Sequence, residues 1–428
     1  MKPPNKEQVE KLLEHINNYW DSLKAETKKQ DKESGTLLNL PHPYLTPSHQ
    51  GMFQEMYYWD CFFIALGLEE TEYEEYIIYM TKNLAVLFDR FGIIPNGSRY
   101  YLTSRSQPPF FTKLMWLAYD LMKSQNRDDE AEKFLAEMTE IAEKEHHDVW
   151  MGTTEENERL VFIPDKSSPE IGLSRYFDVN HLHLLAGCES GWDHSTRCDE
   201  LWLDHIAVDL NSILYVREID IAEAKRTLGK NDSAAEWEER AKQRKKLINE
   251  YLWDSDRQFF FDYNYQKKTR NPHLSLAGFF PLWAGLAEPE QAEQIVSKWL
   301  PVFENQGGLV TSLEEKSNRQ WAFPNGWAPL QWIVVEGLEK YGYDRDAMRI
   351  RHKWCQNCVT VYEEGLPIND ENGAEVKKQA LWERYNVVRV GQTAGEGCYG
   401  SAIAGFGWSN AIFKVFAKHP RFFESLES

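Results

Sequence analysis

Apolar residues recur at helical spacing along most of this 428-residue chain. The first example places Val9, Leu12 and Ile16 on one face of a predicted helix. The same period recurs in five longer segments, residues 76–91, 129–147, 201–229, 233–253 and 331–354. Strand patterns are short, and the clearest covers residues 258–266. The chain is therefore predicted to be all-α with minor strands, and its helix–loop–helix rhythm suits a toroid of paired helices whose loops surround one mouth.

No change of composition marks a domain boundary. The charged run TKKQDKESG at 27–35 only separates the first helix from the rest, so residues 1–35 are predicted to form an N-terminal helix and a charged connection. A length of 428 residues permits one large domain or two to three ordinary ones. We predict one domain over residues 1–428.

Composition excludes several kinds of partner. The chain has 67 acidic and 48 basic residues, and the resulting charge of -19 opposes binding to nucleic acids and anionic membranes. No segment approaches the roughly 18 apolar residues that a membrane helix needs. The first fifteen residues also lack the apolar core of a secretion signal. These patterns predict a cytoplasmic protein, and its oligomeric state stays open.

The candidate metal ligands fit no metal site. Six cysteines show no disulfide framework, and the CxxC formed by Cys355 and Cys358 lies in a predicted helix, where packed thiols are the simpler interpretation. His181, His183 and His194 do not have the spacing of zinc ligands. We expect neither a metal nor a cofactor.

Polar, aromatic-rich loops interrupt the helices, and loops of this composition are usually functional. Sugar hydrolysis needs two carboxyl groups on opposite sides of the scissile bond. Indole rings can pack on the apolar faces of a sugar, while amide, guanidinium and carboxylate groups bond its hydroxyls. The loops supply both sets, so they predict a carbohydrate site.

Each candidate also has a simpler structural interpretation. Asp193 could cap a helix or pair with Arg197 four residues later. Glu383 could be a surface acid that pairs with Arg384 or Lys378. A single tryptophan is more often packing than binding, but six indoles in five polar loops favour a site.

Seven motifs resemble the α,α-trehalase family in their order and spacing. They are EMYYWDCFFIALGL, GIIPNGSRYYLTSRSQPPFF, ESGWDHSTR, AVDLNSILY, QWAFPNGWAPLQW, WERYNV and GFGWSN, and they cover roughly residues 40–415. The resemblance implies an (α/α)6 barrel, an inverting mechanism and no cofactor. It also implies that Asp193 of ESGWD is the general acid and that Glu383 of WERY is the general base. An inverting pair is expected to lie about 6.5–9.5 Å apart, with space for one water.

A general acid must keep its proton near neutral pH, so the pKa of Asp193 is expected to be raised by a dry setting or a nearby negative charge. Trp192 and Glu189 are candidates for these two effects. The substrate is expected to be a small α-linked sugar. The predicted substrate-binding residues are Phe53, Trp59, Asp60, Asn96, Arg105, Gln107, Trp192, Trp321, Asn325, Trp327, Glu396 and Trp408.

Several positions depart from the family pattern. Met52, Ala322 and Ala404 stand where trehalases carry charged residues, and an Arg-Pro-Glu segment before ESGWD is absent. Glu396 is a candidate replacement for the acid lost at Ala404. Trehalose is the best single substrate expectation, and another small α-glucoside or α-mannoside, such as a glycosylglycerate, is the alternative. A sugar-binding protein without turnover is the alternative of another class.

Overall fold

The computed structural model describes residues 3–26, 35–162, 172–315, 318–369, 374–392, 394, 400 and 402–424. Most of the predicted charged connection and the candidate Glu396 therefore lie outside the described residues.

Helices dominate the described residues. They are α1 Lys6–Tyr19, α2 Tyr58–Ala65, α3 Glu75–Phe91, α4 Phe111–Ser124, α5 Asp128–Glu145, α6 His183–Glu189, α7 Val208–Thr227, α8 Asn231–Tyr251, α9 Phe280–Ala284, α10 Pro289–Lys298, α11 Leu300–Phe303, α12 Ala328–Lys340, α13 Asp344–Glu364 and α14 Gly407–Ala417. A π-helical turn, His146–Trp150, continues α5.

Local sequence explains where these helices begin and end. The side chain of Asn5 accepts a hydrogen bond from the Gln8 N–H, and the side chain of Gln8 accepts one from the Asn5 N–H, which caps α1. Helix α3 stops at Gly92, which has a φ of 68° that a glycine adopts without steric cost. The apolar face of α1 is buried, as its spacing predicts.

Six helices form a closed inner ring in the described part of the chain. Each contacts the next in the order α2, α4, α7, α9, α12 and α14, and α14 closes the ring against α2. Helices α1, α3, α5, α8 and α13 pack outside this ring, and α10 follows α9 in the remaining outer position. Two concentric rings of this kind are an (α/α)6 toroid, which confirms the predicted fold class.

The strands are short antiparallel pairs at the loops. They are β1 Lys24–Ala25 with β2 Tyr44–Leu45, β3 Thr153–Thr154 with β4 Asn157–Glu158, β5 Leu160–Phe162 with β6 Leu173–Ser174, β7 His205–Ile206 with β10 Tyr263–Asn264 and β11 Thr269–Arg270, β8 Trp253–Asp254 with β9 Phe259–Phe260, β12 Glu304–Asn305 with β13 Gly308–Leu309, β14 Asn325–Trp327 with β17 Arg384–Asn386, and β15 Leu366–Asn369 with β16 Glu375–Lys378.

Two predicted helices differ from the observed ones. The segment 201–229 is helical only from Val208, because the preceding residues form a 3₁₀ turn and then strand β7, which pairs with β10. The segment 331–354 is divided at Gly342, whose φ of 79° ends α12 before α13 begins. The 258–266 strand pattern becomes two short strands, β9 and β10.

Candidate active site

Side chains from the loops that precede the inner helices line one cavity. It encloses about 550 Å³, part of it open to solvent. Helices α2, α12 and α14 each begin directly after a residue that lines it, namely Tyr57, Trp327 and Phe406. The lining residues are Phe53, Tyr57, Trp59, Asp60, Asn96, Leu102, Arg105, Gln107, Gly191, Asp193, Gln320, Trp321, Trp327, Glu383, Phe406 and Trp408.

Asp193 is a half-buried carboxyl in this lining. Burial raises its pKa to about 7, because the charged form is poorly solvated there. The positive charge of Arg105 opposes this shift, and the negative charge of Glu383 adds to it. A carboxyl with this pKa holds its proton for part of the time at neutral pH and can donate it.

The alternative ion pair for Asp193 is not formed. Arg197 instead donates hydrogen bonds to Asp209 and Asp262, both of which are buried. The negative charge that raises the pKa of Asp193 is that of Glu383, and not that of Glu189 as expected. Glu189 is bound by Arg159 and by the backbone N–H groups of Ser106 and Phe177, so it holds the loops together beside the site.

Glu383 lies in the same cavity and is only 1% exposed. It precedes β17, whose pairing with β14 sets Trp327 opposite Arg384. The Glu383 N–H donates to the Ile403 carbonyl, and the Trp408 indole donates to the Glu383 carbonyl, which fixes the backbone on both sides. Arg384 donates to the Glu383 carboxylate at 2.6 Å. The alternative interpretation of Glu383 as a surface acid is wrong, although the ion pair with Arg384 is formed in the interior.

A third carboxyl, Asp60, belongs to the first turn of α2. Burial raises the pKa of Asp60 well above its usual range, and the negative charges of Glu383 and then Asp193 raise it further. Three acids that share one cavity compete to be ionised, because each charge disfavours the next. The ion pair with Arg384 makes Glu383 the acid that is best compensated as a carboxylate.

Three polar side chains of the lining are held by neighbouring backbone or side-chain groups. Asn96 donates to the carbonyls of Ser106 and Cys188, and Gln107 accepts from the Trp59 N–H. Arg105 reaches Ser104 at 3.2 Å and approaches Asp178 at 3.9 Å. All three predicted residues therefore line the cavity in fixed orientations.

Four tryptophans form an aromatic wall of the cavity. The rings of Trp321 and Trp327 stack in parallel, with centroids 3.8 Å apart. Trp59 and Trp408 pack around this pair at centroid distances of 5.8 Å from Trp321 and Trp327 respectively. Such a wall presents flat apolar surface beside the carboxyl groups, as a sugar ring requires.

Two predicted binding residues do not line the cavity. Trp192 is buried behind the wall, where it packs on Trp321 with a centroid distance of 5.5 Å. The side chain of Asn325 donates to the Gln320 carbonyl and is 1% exposed. Both residues lie in motifs that do contribute to the cavity. Neighbouring side chains of a short strand or turn point to opposite sides, so not every residue of such a motif faces the cavity.

Five lining residues were not predicted, namely Tyr57, Leu102, Gly191, Gln320 and Phe406. All five stand within the quoted motifs that also supply predicted residues, so neighbouring positions of the same loops were the available signal.

The departures from the family pattern lie outside the cavity lining. Met52 is 49% exposed, Ala322 is fully buried, and Ala404 pairs as an isolated bridge with Trp382. None of the three contributes to the lining in the described residues.

No group of three or more His, Cys, Asp or Glu side chains arranged to hold a metal ion occurs within the described ranges. Cys355 and Cys358 are buried on α13, and burial raises the pKa of both thiols. None of the described helices is both long enough and apolar enough to cross a membrane.

The Trehalase family profile matches residues 1–177 and 178–419, which is most of the chain. This chain belongs to the trehalase family. A periplasmic trehalase of Citrobacter koseri is 31% identical over 445 residues, covering 94% of this chain and 72% of the relative. A periplasmic trehalase of Salmonella newport gives the same identity and coverage. Because it belongs to this family, the chain is a glycoside hydrolase.

Solved structures agree with this assignment. The neutral trehalase Nth1 of Saccharomyces cerevisiae has a TM-score of 0.79 at 25% identity, covering 98% of this chain and 96% of that one. A GH63 mannosylglycerate hydrolase of Thermus thermophilus has a TM-score of 0.63 at 18% identity, covering 97% and 100%, and shares the fold.

The expected cytoplasmic location is contradicted by these relatives. The curated proteins from Citrobacter koseri and Salmonella are periplasmic trehalases by name. The expectation rested on the composition of the first fifteen residues and on the lack of a long apolar segment, and the names of the relatives overturn it.

Proposed function

We propose that this protein hydrolyses α,α-trehalose with inversion of configuration at the carbon that water attacks. Family membership and the trehalase relatives support this substrate. The observation that carries the mechanism is the pairing of two unlike carboxyls in one cavity. Asp193 has a pKa of about 7, and Glu383 is ion-paired with Arg384.

In this mechanism Asp193 donates its proton to the glycosidic oxygen as the bond to carbon breaks. Glu383 accepts a proton from a water that attacks the same carbon from the opposite face. The products are one glucose with its original configuration and one with the inverted configuration. We propose a separation of about 6.5–9.5 Å between the two carboxyls, which leaves space for that water.

The remaining lining residues bind the sugars. The tryptophan wall packs on an apolar ring face, and Asn96, Arg105, Gln107 and Asp60 bond hydroxyl groups. Hydrogen bonds that involve charged groups contribute about 1.5–3 kcal/mol each, so Arg105 is expected to dominate sugar orientation.

A panel of α-linked disaccharides and glycosylglycerates, followed by identification of the products, tests this function. Trehalose is expected to give the highest kcat/KM. Preferential cleavage of a glycosylglycerate would transfer the proposal to that substrate class, with Arg105 as the cation for the carboxylate. Sugar binding without any product would contradict hydrolysis altogether.

A further inference from the structure

The loop that carries Asp193 contains unfavourable backbone conformations. His194, Cys198, Asp199 and Glu200 all have positive φ values, between 52° and 61°. Residues other than glycine rarely adopt this left-handed region, and several so close together are unusual. Such backbone persists only where the surrounding structure holds it, and it concentrates at functional sites. Something must therefore fix this loop.

Arg197 is the residue that fixes it. Its side chain is fully buried, and two of its nitrogens donate to the two carboxylate oxygens of Asp209, each at 2.7 Å. It also donates to both oxygens of Asp262, at 2.8 and 2.6 Å. Asp209 belongs to the first turn of α7, and Asp262 lies between β9 and β10. Arg197 thus ties the loop to the inner ring and to a strand connection.

The same guanidinium group contacts the residue next to the acid. It lies 4.9 Å from the ring centre of Trp192 and 5.3 Å from that of Trp202. Trp192 directly precedes Asp193 and packs on Trp321, a member of the tryptophan wall. A shift of Arg197 would therefore move Trp192, and with it the carboxyl of Asp193.

We propose that Arg197 is a positioning residue for Asp193, which it aims at the glycosidic oxygen through Trp192. This assignment rests on the proposed function. Arg197 does not line the cavity, so it acts on the reaction through Asp193 and not through the sugar. Lysine cannot replace it, because the three N–H groups of an ammonium cannot make four paired hydrogen bonds to two carboxylates, and an ammonium cannot stack as a plane on an indole.

The variant Arg197→Lys tests this role with two substrates, trehalose and α-glucosyl fluoride. Fluoride departs with little help from a proton donor, whereas the sugar oxygen of trehalose needs one. A misplacement of about 1 Å can lower a rate about 100-fold, so kcat on trehalose is expected to fall by about that factor. KM for trehalose is expected to change less than about 3-fold, because the sugar contacts remain. Turnover of α-glucosyl fluoride is expected to fall less than about 5-fold.

Two further variants calibrate the result. Asp193→Asn is expected to show the same selective loss on trehalose. Arg351→Lys is the matched control, because Arg351 is a buried arginine on α13 that bonds Glu339 away from the cavity. It is expected to keep the wild-type ratio of activities on the two substrates.

Equal losses on both substrates, or no loss on either, would overturn the role of Arg197. If Arg197→Lys does not fold, Asp262→Asn replaces it, since it keeps the paired bonds to Asp209. That variant is expected to lose about 10-fold on trehalose, with the fluoride largely spared. Wild-type protein that is inactive on both substrates would overturn the proposed function first, whereas active wild type with an unselective variant overturns only the positioning role.

Discussion

The two proposed catalytic carboxyls share one cavity but have opposite surroundings. Asp193 is half-buried in a left-handed loop, and burial raises its pKa to about 7. Glu383 is almost fully buried beside a short strand pair and is bonded to Arg384 at 2.6 Å. Both groups are carboxyls, so the proposed roles of acid and base follow from the surroundings of each group and not from its residue type. Removing either environment should remove the corresponding role.

The largest expected effect is the loss of turnover when either carboxyl becomes an amide. Asp193→Asn and Glu383→Gln are each expected to lower kcat on trehalose by about 100- to 10,000-fold, because proton transfer is lost on one side of the bond. Steady-state kinetics of each variant, with circular dichroism to confirm the fold, measures this effect. Full turnover in either variant would refute the role given to that residue.

The pH dependence of the wild-type enzyme distinguishes the acid from the base. Asp193 must be protonated to act, and its pKa is about 7, so activity is expected to be present below pH 7. Above that value kcat/KM should fall about 10-fold per pH unit as the acid loses its proton. A pH profile on trehalose measures the descending limb. Activity that stays level to pH 9 would contradict the acid assignment.

Smaller effects, of opposite sign, are expected on the unfolding free energies of Asp193→Asn and Glu383→Gln. The folded-state pKa of Asp193, about 7, exceeds the ordinary value of 3.8, so this group makes the folded state less stable as pH rises from 4 to 7. Asp193→Asn removes that cost and is expected to raise the unfolding free energy at pH 8 by about 1–3 kcal/mol. Little gain should remain near pH 4.

The variant Glu383→Gln is expected to have the opposite effect on stability. It leaves Arg384 buried without its carboxylate, so the unfolding free energy is expected to fall by about 3 kcal/mol. Denaturant unfolding of both variants at pH 4 and pH 8 measures the contrast. If the unfolding free energy changed in the same direction in both variants at pH 8, the two carboxyls would have similar surroundings, which would contradict the contrast between them.

The sequence was sufficient for the fold and for selecting two carboxyls, Asp193 and Glu383, that line one cavity, because helical periodicity and long motifs are local in the chain. It was not sufficient for the direction in which each motif side chain points. Trp192 and Asn325 belong to recognised motifs but face away from the cavity, because the packing of their loops decides that. The support of Asp193 by Arg197 depends on Asp209 and Asp262, which only the folded chain brings together.

The most direct test of the central claim is hydrolysis of trehalose in ¹⁸O-labelled water, followed at once by NMR of the products. Attack by a water activated at Glu383, opposite the acid Asp193, predicts equal amounts of α- and β-glucose at early times, with the label only in the β-anomer. Initial release of α-glucose alone, with the label in that anomer, would contradict the account.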